Sequence, residues 1–195
     1  IVSGALQALQ LISTGIVQPG AKVYVETPSY LSSLNIFQSV GARLCNMPMD
    51  EEGLLPWMSR ETQNDSNPAL LYTIPPFQNP TGIVMPIGRR QELLRWAEEQ
   101  EGRWILEDDY DSEFRFSGRP IPALQSLDGG ERVVYLNTFA KSLAPSLRIS
   151  YMVLPPHLLE RWRRDFWFYS STVPSFEQYA LARFMERGHF ERHLN

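Results

Sequence analysis

The sequence is poor in several residue types, and each scarcity argues against a class of protein. Cys45 is the only cysteine, so the chain cannot form an internal disulfide and suits a reducing compartment. With one cysteine and three scattered histidines, no structural zinc site is expected. No apolar run approaches the roughly 18 residues that a membrane span needs, so no span is expected either.

Lysine is scarce as well. Of the 18 basic residues, only Lys22 and Lys141 are lysines, so chemistry that requires a primary amine has two candidates. The formal charge is −4, and the basic residues are spread along the chain rather than clustered. We therefore expect no nucleic-acid surface on this part of the molecule.

The length and composition fit one globular domain. The chain has 195 residues, of which 43% are hydrophobic and 21% charged. It opens at Ile1 without a methionine and stops at Asn195, inside a fresh amphipathic stretch. We therefore expect residues 1–195 to be a segment of a longer protein.

Short apolar runs alternate with stretches of helical periodicity along the chain. Strands are predicted at residues 22–26, 42–47, 69–73, 104–107, 132–136 and 148–154, and helices at 4–16, 31–39, 87–100, 157–169 and 175–195, the last interrupted at Gly188. This alternation is typical of an α/β fold in which helices cover both faces of a mainly parallel sheet. We predict a three-layer αβα architecture, with the polar stretch 62–68 as a surface loop.

Candidate functional residues follow three of the predicted strands. Asp108 ends the strand at 104–107, Lys141 lies in the loop after the strand at 132–136, and Asn79 follows the strand at 69–73. Ligands of open α/β sheets bind at the carboxyl ends of the strands. In addition, Ser3-Gly4-Ala5 lies at a helix start, where unpaired amides favour an anion.

Lys141 lies among small, hydroxyl-bearing and apolar residues, without an acidic neighbour within several positions. Desolvation in such a loop favours the neutral, nucleophilic amine that forms Schiff bases. The alternative is a solvated loop lysine, but the position after a strand, with Arg148 seven residues on, favours the functional interpretation. Lys22 follows Pro-Gly at a strand start, which is typical of a surface lysine.

Asp108 and Arg148 could each be ordinary surface residues instead of cofactor contacts. Acidic clusters such as Glu107-Asp108-Asp109 are usually surface turns, yet an aspartate that closes an apolar strand can hold the pyridinium nitrogen of a cofactor protonated. Arg148 is either a surface arginine or a fork that binds phosphate. Alone, each of these signals is weak.

Two longer stretches carry a family resemblance. Residues 105–124 (ILEDDYDSEFRFSGRPIPAL) and 138–148 (TFAKSLAPSLR) resemble the aminotransferase-like domain of MocR-type regulators, a branch of the GntR transcription factors. The similarity continues through 170–173 and 188–195 and covers essentially the whole chain. More broadly, the chain resembles the fold type I, aspartate aminotransferase-like proteins. The resemblance implies that residues 1–195 form most of a large domain that binds pyridoxal 5′-phosphate (PLP).

The resemblance also implies a role for each candidate. Lys141 would form the Schiff base, Asp108 would partner the pyridine nitrogen, and Tyr110 would donate to the phenolic oxygen of the ring; these three are the catalytic candidates. The other implied cofactor contacts are Asn79 for the same oxygen, Tyr30 stacked on the ring, and Gly4, Ala5, Thr138 and Arg148 around the phosphate. No metal ion is implied.

Three positions depart from the family pattern. Ala140 lies where the family often has serine, and Leu31 follows Tyr30 where proline is common. Asn79 resembles true aminotransferases more than many of the regulators. None of these departures removes a group that PLP binding requires.

The resemblance leaves two functions open, because the site chemistry of both is the same. In the first, the domain senses an amino compound through aldimine exchange at Lys141 and repositions an attached DNA-binding domain. In the second, the chain belongs to a free-standing PLP-dependent aminotransferase that transfers an amino group between an amino acid and a 2-oxo acid. We expect the regulator, on the strength of the stretches at 105–124 and 138–148. A module that has lost its cofactor is disfavoured, because every cofactor-contact position holds a competent residue.

The family's other regions would lie outside this chain. The winged-helix domain would precede Ile1, and the C-terminal small domain, with the arginine that grips a substrate carboxylate, would follow Asn195. We therefore expect contact with DNA only through the upstream domain, a small amino compound as ligand, a homodimer and a cytoplasmic location.

Other features have simpler interpretations. The aromatic segment formed by Trp162 and residues 166–169 is expected to pack in the core, between domains or in a dimer. The three histidines are expected on helix surfaces, and Cys45 as a small buried hydrophobe.

Overall fold

The computed structural model describes residues 1–55, 68–113 and 121–194. The strands in chain order are β1 (Lys22–Glu26), β2 (Arg43–Met47), β3 (Met49–Asp50), β4 (Gly53–Leu54), β5 (Ala69–Thr73), β6 (Arg103–Asp109), β7 (Val133–Thr138) and β8 (Ser150–Val153). The helices are α1 (Ala5–Ile16), α2 (Leu31–Ser39), α3 (Ile87–Glu98), α4 (Leu124–Leu127), α5 (Phe139–Ser142), α6 (Pro156–Asp165), α7 (Ser175–Glu186) and α8 (His189–Leu194).

Six strands form one twisted sheet in the order β2-β1-β5-β6-β7-β8. All neighbours are parallel except β7 and β8, which are antiparallel. The chain moves outward from β1 to β2 and then returns to the other side of β1, so the connections diverge between β1 and β5. In α/β sheets, this reversal opens a crevice at the carboxyl ends of the strands.

Helices cover both faces of the sheet, as the alternating pattern predicts. One face packs against α1, α2 and α6 through Leu9, Ile12, Phe37 and Leu158. The opposite face packs against α3 and α4, where Leu93 and Leu124 are fully buried. Burying a leucine or isoleucine of this kind contributes about 2–3 kcal/mol each, which fixes the helices against the sheet. The predicted three-layer αβα architecture is confirmed.

Most elements lie where the sequence predicts them, and β1, β5 and α2 have the predicted bounds. β6 continues past residue 107 through two further acidic residues, and β7 continues to Thr138. The predicted helix at 157–169 ends earlier, at Asp165, and the final helix is broken at Gly188, whose φ is +66°. The β3–β4 hairpin and the short helices α4 and α5 were not predicted. Of the loop expected at 62–68, residues 62–67 lie outside the described residues.

The aromatic segment does not form core within this chain. Trp162 and Phe166 stack on each other with ring centroids 4.4 Å apart and lie half-buried. The side chains of residues 167–169 are exposed, Trp167 by 80%. Packing between domains or in a dimer, the other part of the expectation, stays a prediction. Cys45 is buried and the three histidines are exposed, as expected.

The described residues contain neither a membrane-spanning helix nor a group of side chains suited to a metal ion. No helix in residues 1–55, 68–113 or 121–194 has both the length and the apolar character to cross a bilayer. Within the same ranges, no three His, Cys, Asp or Glu side chains are grouped closely enough to hold a metal ion.

Candidate functional site

The carboxyl ends of the parallel strands bring the predicted residues to one edge of the sheet. Tyr30 lies in the connection after β1, Asn79 in the connection after β5, and Asp108 near the end of β6. Thr138 is the last residue of β7, and Lys141 follows it directly in α5. Parallel pairing sets this arrangement, because it aligns the ends of β5, β6 and β7 side by side.

Asp108 is a buried carboxylate with one oxygen engaged. The Tyr72 hydroxyl donates a 2.8 Å hydrogen bond to Oδ2 of Asp108. Oδ1 is buried and has no hydrogen-bond partner among the described residues. Burial raises the pKa of Asp108 to about 6, and the hydrogen bond from Tyr72 opposes that rise. A buried carboxylate oxygen without a partner is costly, so this atom marks a place for a hydrogen-bond donor.

Lys141 lies close to Tyr110, the second residue after Asp108. The Nζ atom of Lys141 is 5.7 Å from the centroid of the Tyr110 ring. The Tyr110 hydroxyl donates a 3.0 Å hydrogen bond to the carbonyl of Phe77, at the start of the loop that carries Asn79. Tyr110 follows the last residue of β6 and packs against the same core cluster as Leu106, on the α1 face of the sheet.

Lys141 lies in the short helix α5 and not in the loop that the sequence predicts. The Oγ1 atom of Thr138 accepts a 3.2 Å hydrogen bond from the amide of Ala140 and caps the helix. A four-residue helix has no periodicity to detect, but a threonine at the end of a strand is a cap signal. The Lys141 side chain is exposed at this edge, so the amine is accessible.

Gly4 and Arg148 form a second cluster. Gly4 is the N-cap of α1, and its φ of +88° is a conformation that other residues rarely adopt. A Cβ atom at this position would overlap the guanidinium group of Arg148. The first amides of α1 and a cationic fork therefore share one small space. Val2 and Ser150 hold the two segments together through two backbone hydrogen bonds of 2.9 Å.

Thr138 joins this second cluster to β8, since its hydroxyl lies 3.4 Å from the carbonyl of Ile149, the residue after Arg148. Tyr30 and Asn79 are placed at the same edge. However, the Tyr30 hydroxyl and the Asn79 side-chain amide form no hydrogen bond within the described part of the chain. The structure thus brings the candidates into two groups, one around Asp108 and one around Arg148.

Glu26 and Gln78 connect the loops of Tyr30 and Asn79, and the sequence analysis missed both. The Gln78 Nε2 group lies 3.2 Å from Oε2 of Glu26, 2.7 Å from the carbonyl of Pro28 and 3.0 Å from that of Asn79. The Thr73 hydroxyl donates a 2.5 Å hydrogen bond to the other oxygen of Glu26. Burial raises the pKa of Glu26 to about 7. Like Asp108, Glu26 ends an apolar strand, and that signal could have identified it.

The other two acids of β6 face the opposite side of the sheet and have structural partners. Glu107 accepts hydrogen bonds from the amides of Leu124 and Gln125, at 2.8 and 2.9 Å, and so caps α4. Asp109 accepts a 2.7 Å hydrogen bond from the Tyr135 hydroxyl. The acidic cluster is therefore a buried strand end and not a surface turn, and Asp108 alone of the three points to the α1 face.

Comparison with known proteins identifies the family. The profile of the family "Aminotransferase class I and II" matches residues 1–194. The chain belongs to this family. The matched range includes all nine candidate residues. Residues 114–120, which belong to the stretch that carries the resemblance, lie outside the described part of the chain.

Two of the similar curated proteins are named as regulators. The chain is 45% identical over 179 residues to an uncharacterised HTH-type transcriptional regulator, YhdI of Bacillus subtilis, covering 92% of this chain and 37% of that protein. It is 41% identical over 197 residues to the probable rhizopine catabolism regulatory protein MocR of Rhizobium meliloti, covering 100% of this chain and 38% of that protein. The chain thus spans less than half the length of these curated relatives.

A solved aminotransferase shares the fold. LysN, an α-aminoadipate aminotransferase of Thermus thermophilus solved with N-(5′-phosphopyridoxyl)-L-leucine, superposes with a TM-score of 0.87. The two sequences are 31% identical, and the match covers 99% of this chain and 50% of LysN. The aspartate aminotransferase-like fold predicted from the sequence is confirmed.

Proposed function

We propose that this chain is the PLP-binding, effector-sensing domain of a MocR/GntR-type transcriptional regulator. The observation that carries the cofactor assignment is the buried Oδ1 atom of Asp108, which has no partner among the described residues. A protonated pyridine nitrogen is the donor that would satisfy it. The assignment to regulators rests on the higher identity to YhdI and MocR than to the aminotransferase LysN.

The residues at the sheet edge fit PLP group by group. The close approach of Gly4 to Arg148 suits a phosphate, because a side chain at position 4 would fill the space. The amides of Gly4 and Ala5 and the Thr138 hydroxyl would complete that phosphate site at the start of α1. Tyr30 would stack on the ring, and Asn79 would donate to its phenolic oxygen. Tyr110 would donate to the same oxygen by turning its hydroxyl proton away from the Phe77 carbonyl.

Lys141 would supply the primary amine that bonds covalently to the cofactor. Its exposed position, 5.7 Å from the Tyr110 ring centroid, leaves the amine open to an incoming amino compound. Bound PLP supplies an electron sink for the α-carbon of that compound. Asp108 would hold the proton on the ring nitrogen, and Lys141 would be displaced when the ligand amine takes its place.

In this proposal the domain binds the amino compound, and that binding repositions an attached DNA-binding domain. Contact with DNA would be made by a region outside residues 1–195. We also propose a homodimer in the cytoplasm. The exposed rings of Trp167 and Phe168, with centroids 6.3 Å apart, support the dimer, because exposed apolar patches mark contact surfaces.

A free-standing aminotransferase is the second candidate, and the completeness of the site favours it. A sensor needs only to bind an amino compound, whereas Lys141 and Asp108 together also suit proton transfer. After displacement, the Lys141 amine could move a proton between the α-carbon of the ligand and the C4′ atom of the cofactor. This activity would end in hydrolytic release of a 2-oxo acid, and the amino group would stay with the cofactor until a second 2-oxo acid accepts it.

The experiment that tests the proposal uses the full-length protein loaded with PLP. Its affinity for its own promoter DNA is measured by fluorescence anisotropy with and without a panel of amino acids. Release of the corresponding 2-oxo acids is measured in parallel, with a second 2-oxo acid added as the amino-group acceptor. We expect at least one amino compound to change the DNA affinity severalfold in the wild type and to have no effect in Lys141→Ala. Steady turnover without any change in DNA binding would instead establish the aminotransferase.

A further inference from the structure

The two carboxyl-terminal helices, α7 and α8, are attached to the sheet through very few side chains. Among the described residues of these helices, 175–194, Phe190 is the only one that is buried. It lies two residues after Gly188, whose φ of +66° ends α7 and lets α8 start in a new direction. Phe190 is therefore the side chain that fixes α8 against the rest of the domain.

Phe190 packs against Phe139, the first residue of α5. The two ring centroids are 5.8 Å apart and the planes are inclined by 76°, which is the edge-to-face arrangement that aromatic pairs favour. The Phe139 ring also lies 5.6 Å from the ring of Tyr151 on β8. Phe139 thus contacts the sheet through one neighbour and the last helix through the other.

Lys141 lies two residues after Phe139 in the same turn. α5 has four residues, and a 3.0 Å hydrogen bond from the amide of Leu143 to the carbonyl of Phe139 closes it. A single helical turn is not stable by itself, because one hydrogen bond does not offset the backbone freedom that is lost. The Lys141 side chain is exposed and does not anchor the turn. The packing of Phe139 therefore has a large part in fixing where Lys141 lies.

α5 reaches from one face of the sheet to the other. The ring of Tyr151 lies 6.1 Å from that of Tyr135, whose hydroxyl bonds on the face opposite α1. The Lys141 amine lies beside the Tyr110 ring, which packs on the α1 face. Phe139 thus anchors the turn on one face while Lys141 presents its amine on the other, so a shift of Phe139 displaces the amine.

The segment before α7 is attached at the other part of the candidate site. The Thr172 hydroxyl accepts a 3.1 Å hydrogen bond from the amide of Ser3 and donates a 2.5 Å hydrogen bond to the side chain of Gln7. Ser3 directly precedes Gly4, at the start of α1. Residues 172–190 therefore run from the Gly4–Arg148 cluster to the turn that carries Lys141.

We propose that Phe190 is a positioning residue for Lys141. Through its contact with Phe139 it holds α5 where the amine meets the cofactor, and it couples α8 to the covalent step. The inference rests on the proposed function, which gives Lys141 its covalent role. Because coupling between two sites is reciprocal, release of Lys141 from the cofactor also changes how firmly α8 is held.

Hydrogen–deuterium exchange of the full-length protein without PLP tests whether Phe190 holds α5. We expect Phe190→Ala to raise the exchange rate of the amides at 140–143 about three- to tenfold, because Phe139 loses its edge-to-face partner. Phe190→Leu keeps an apolar side chain and should give an intermediate rise; it is measured alone if Phe190→Ala does not fold. The matched control, Phe176→Ala, removes the same ring from an exposed position of α7 and should exchange like the wild type.

The second readout is the rate of the covalent step at saturating PLP, where affinity does not limit it. We expect the visible absorbance of bound PLP to develop about tenfold more slowly in Phe190→Ala, because a displaced amine reaches the reactive geometry less often. The inference is overturned if either the exchange at 140–143 or this rate is the same in the Phe190 variant as in Phe176→Ala. A wild type that develops no visible absorbance would refute the proposed function, whereas the exchange measured without PLP still decides whether Phe190 holds α5.

Discussion

The Tyr72 hydroxyl and the Asp108 carboxylate form a 2.8 Å hydrogen bond between neighbouring strands, β5 and β6. Both side chains are buried, and the contact leaves Oδ1 of Asp108 as the oxygen that lacks a described partner. Tyr72 therefore fixes which oxygen of the carboxylate is turned to the proposed cofactor. Without this donor, burial would raise the pKa of Asp108 further.

Replacing Tyr72 with phenylalanine tests this relationship. We expect Tyr72→Phe to weaken PLP binding about tenfold, because one hydrogen bond to a charged group contributes about 1.5–3 kcal/mol. A titration of PLP followed by visible absorbance measures the effect. The control is Tyr135→Phe, which removes the hydroxyl that meets Asp109 on the opposite face of the sheet. Equal losses in both variants would contradict the assignment of Asp108.

The two lysines form a natural pair for the covalent step. Lys141→Ala should abolish the visible absorbance that PLP gains on binding, because the chain then has no amine at the site. Lys22→Ala should keep that absorbance, because Lys22 lies at the other edge of the sheet. An unchanged spectrum in Lys141→Ala, or its loss in Lys22→Ala, would refute the Schiff-base assignment.

Gly4 tests the phosphate site. Gly4→Ala should lower PLP affinity by tenfold or more, because the new Cβ atom displaces the Arg148 guanidinium group. It should also cost about 1–2 kcal/mol of folding stability, since φ is positive. Gly129→Ala has a positive φ of +69° with open space around it, so it should lose similar stability but keep PLP affinity. Similar PLP affinity in both variants would argue against a phosphate site at Gly4.

Gln78 tests how the Tyr30 and Asn79 loops are held. Gln78→Ala removes the donor shared by Glu26, Pro28 and Asn79, and we expect PLP affinity to fall about fivefold. Gln10→Ala, at an exposed position of α1, is the control. If Gln78→Ala lowered thermal stability but left PLP affinity at the wild-type value, Gln78 would have no part in positioning these loops.

Buried acids predict the pH dependence of the cofactor-free chain. Burial raises the pKa values of Glu26 and Glu107 to about 7 and that of Asp108 to about 6. The folded chain thus holds these protons more tightly than the unfolded chain does. The resulting stability is fully present below the unfolded values near 4 and is lost as pH rises through 6 to 7.

Glu26→Gln isolates one of these acids. Denaturant unfolding between pH 4.5 and 8 should show a shallower loss of stability in the variant, by on the order of 3 kcal/mol over this range. The wild type, unfolded over the same pH range, is the reference. Parallel pH profiles for the two proteins would show that Glu26 is already ionised in the folded chain.

The sequence predicts the layers of this fold well because they follow from periodicity. β1 and β5 are short, mostly apolar runs of five residues each. Runs of this length and composition are typical of buried strands and are too short for a buried helix. The nine candidate residues all lie at the expected sheet edge or beside it. Their detailed roles as cofactor contacts remain predictions.

The parts that were missed depend on tertiary contacts. β6 continues through Glu107 and Asp109 because the amides of α4 and the Tyr135 hydroxyl donate hydrogen bonds to these carboxylates. These donors are distant in sequence, so no local sequence pattern predicts them. Likewise, Gln78 donates a hydrogen bond to Glu26, which is 52 residues away in the sequence. The exposed side chains of 167–169 show the opposite case, in which aromatic composition predicted burial that this chain does not provide.

The bridge between Val2 and Ser150 joins the two halves of the Gly4–Arg148 cluster, which are far apart in sequence. The cluster is therefore complete only in the folded sheet, where β8 pairs with β7. A ligand held there binds the completed sheet and not its fragments. At a hundredfold excess over its dissociation constant, such a ligand adds about 2.7 kcal/mol to the folded state. The supply of PLP would then affect the stability of the folded protein, and not merely the share of it that carries the cofactor.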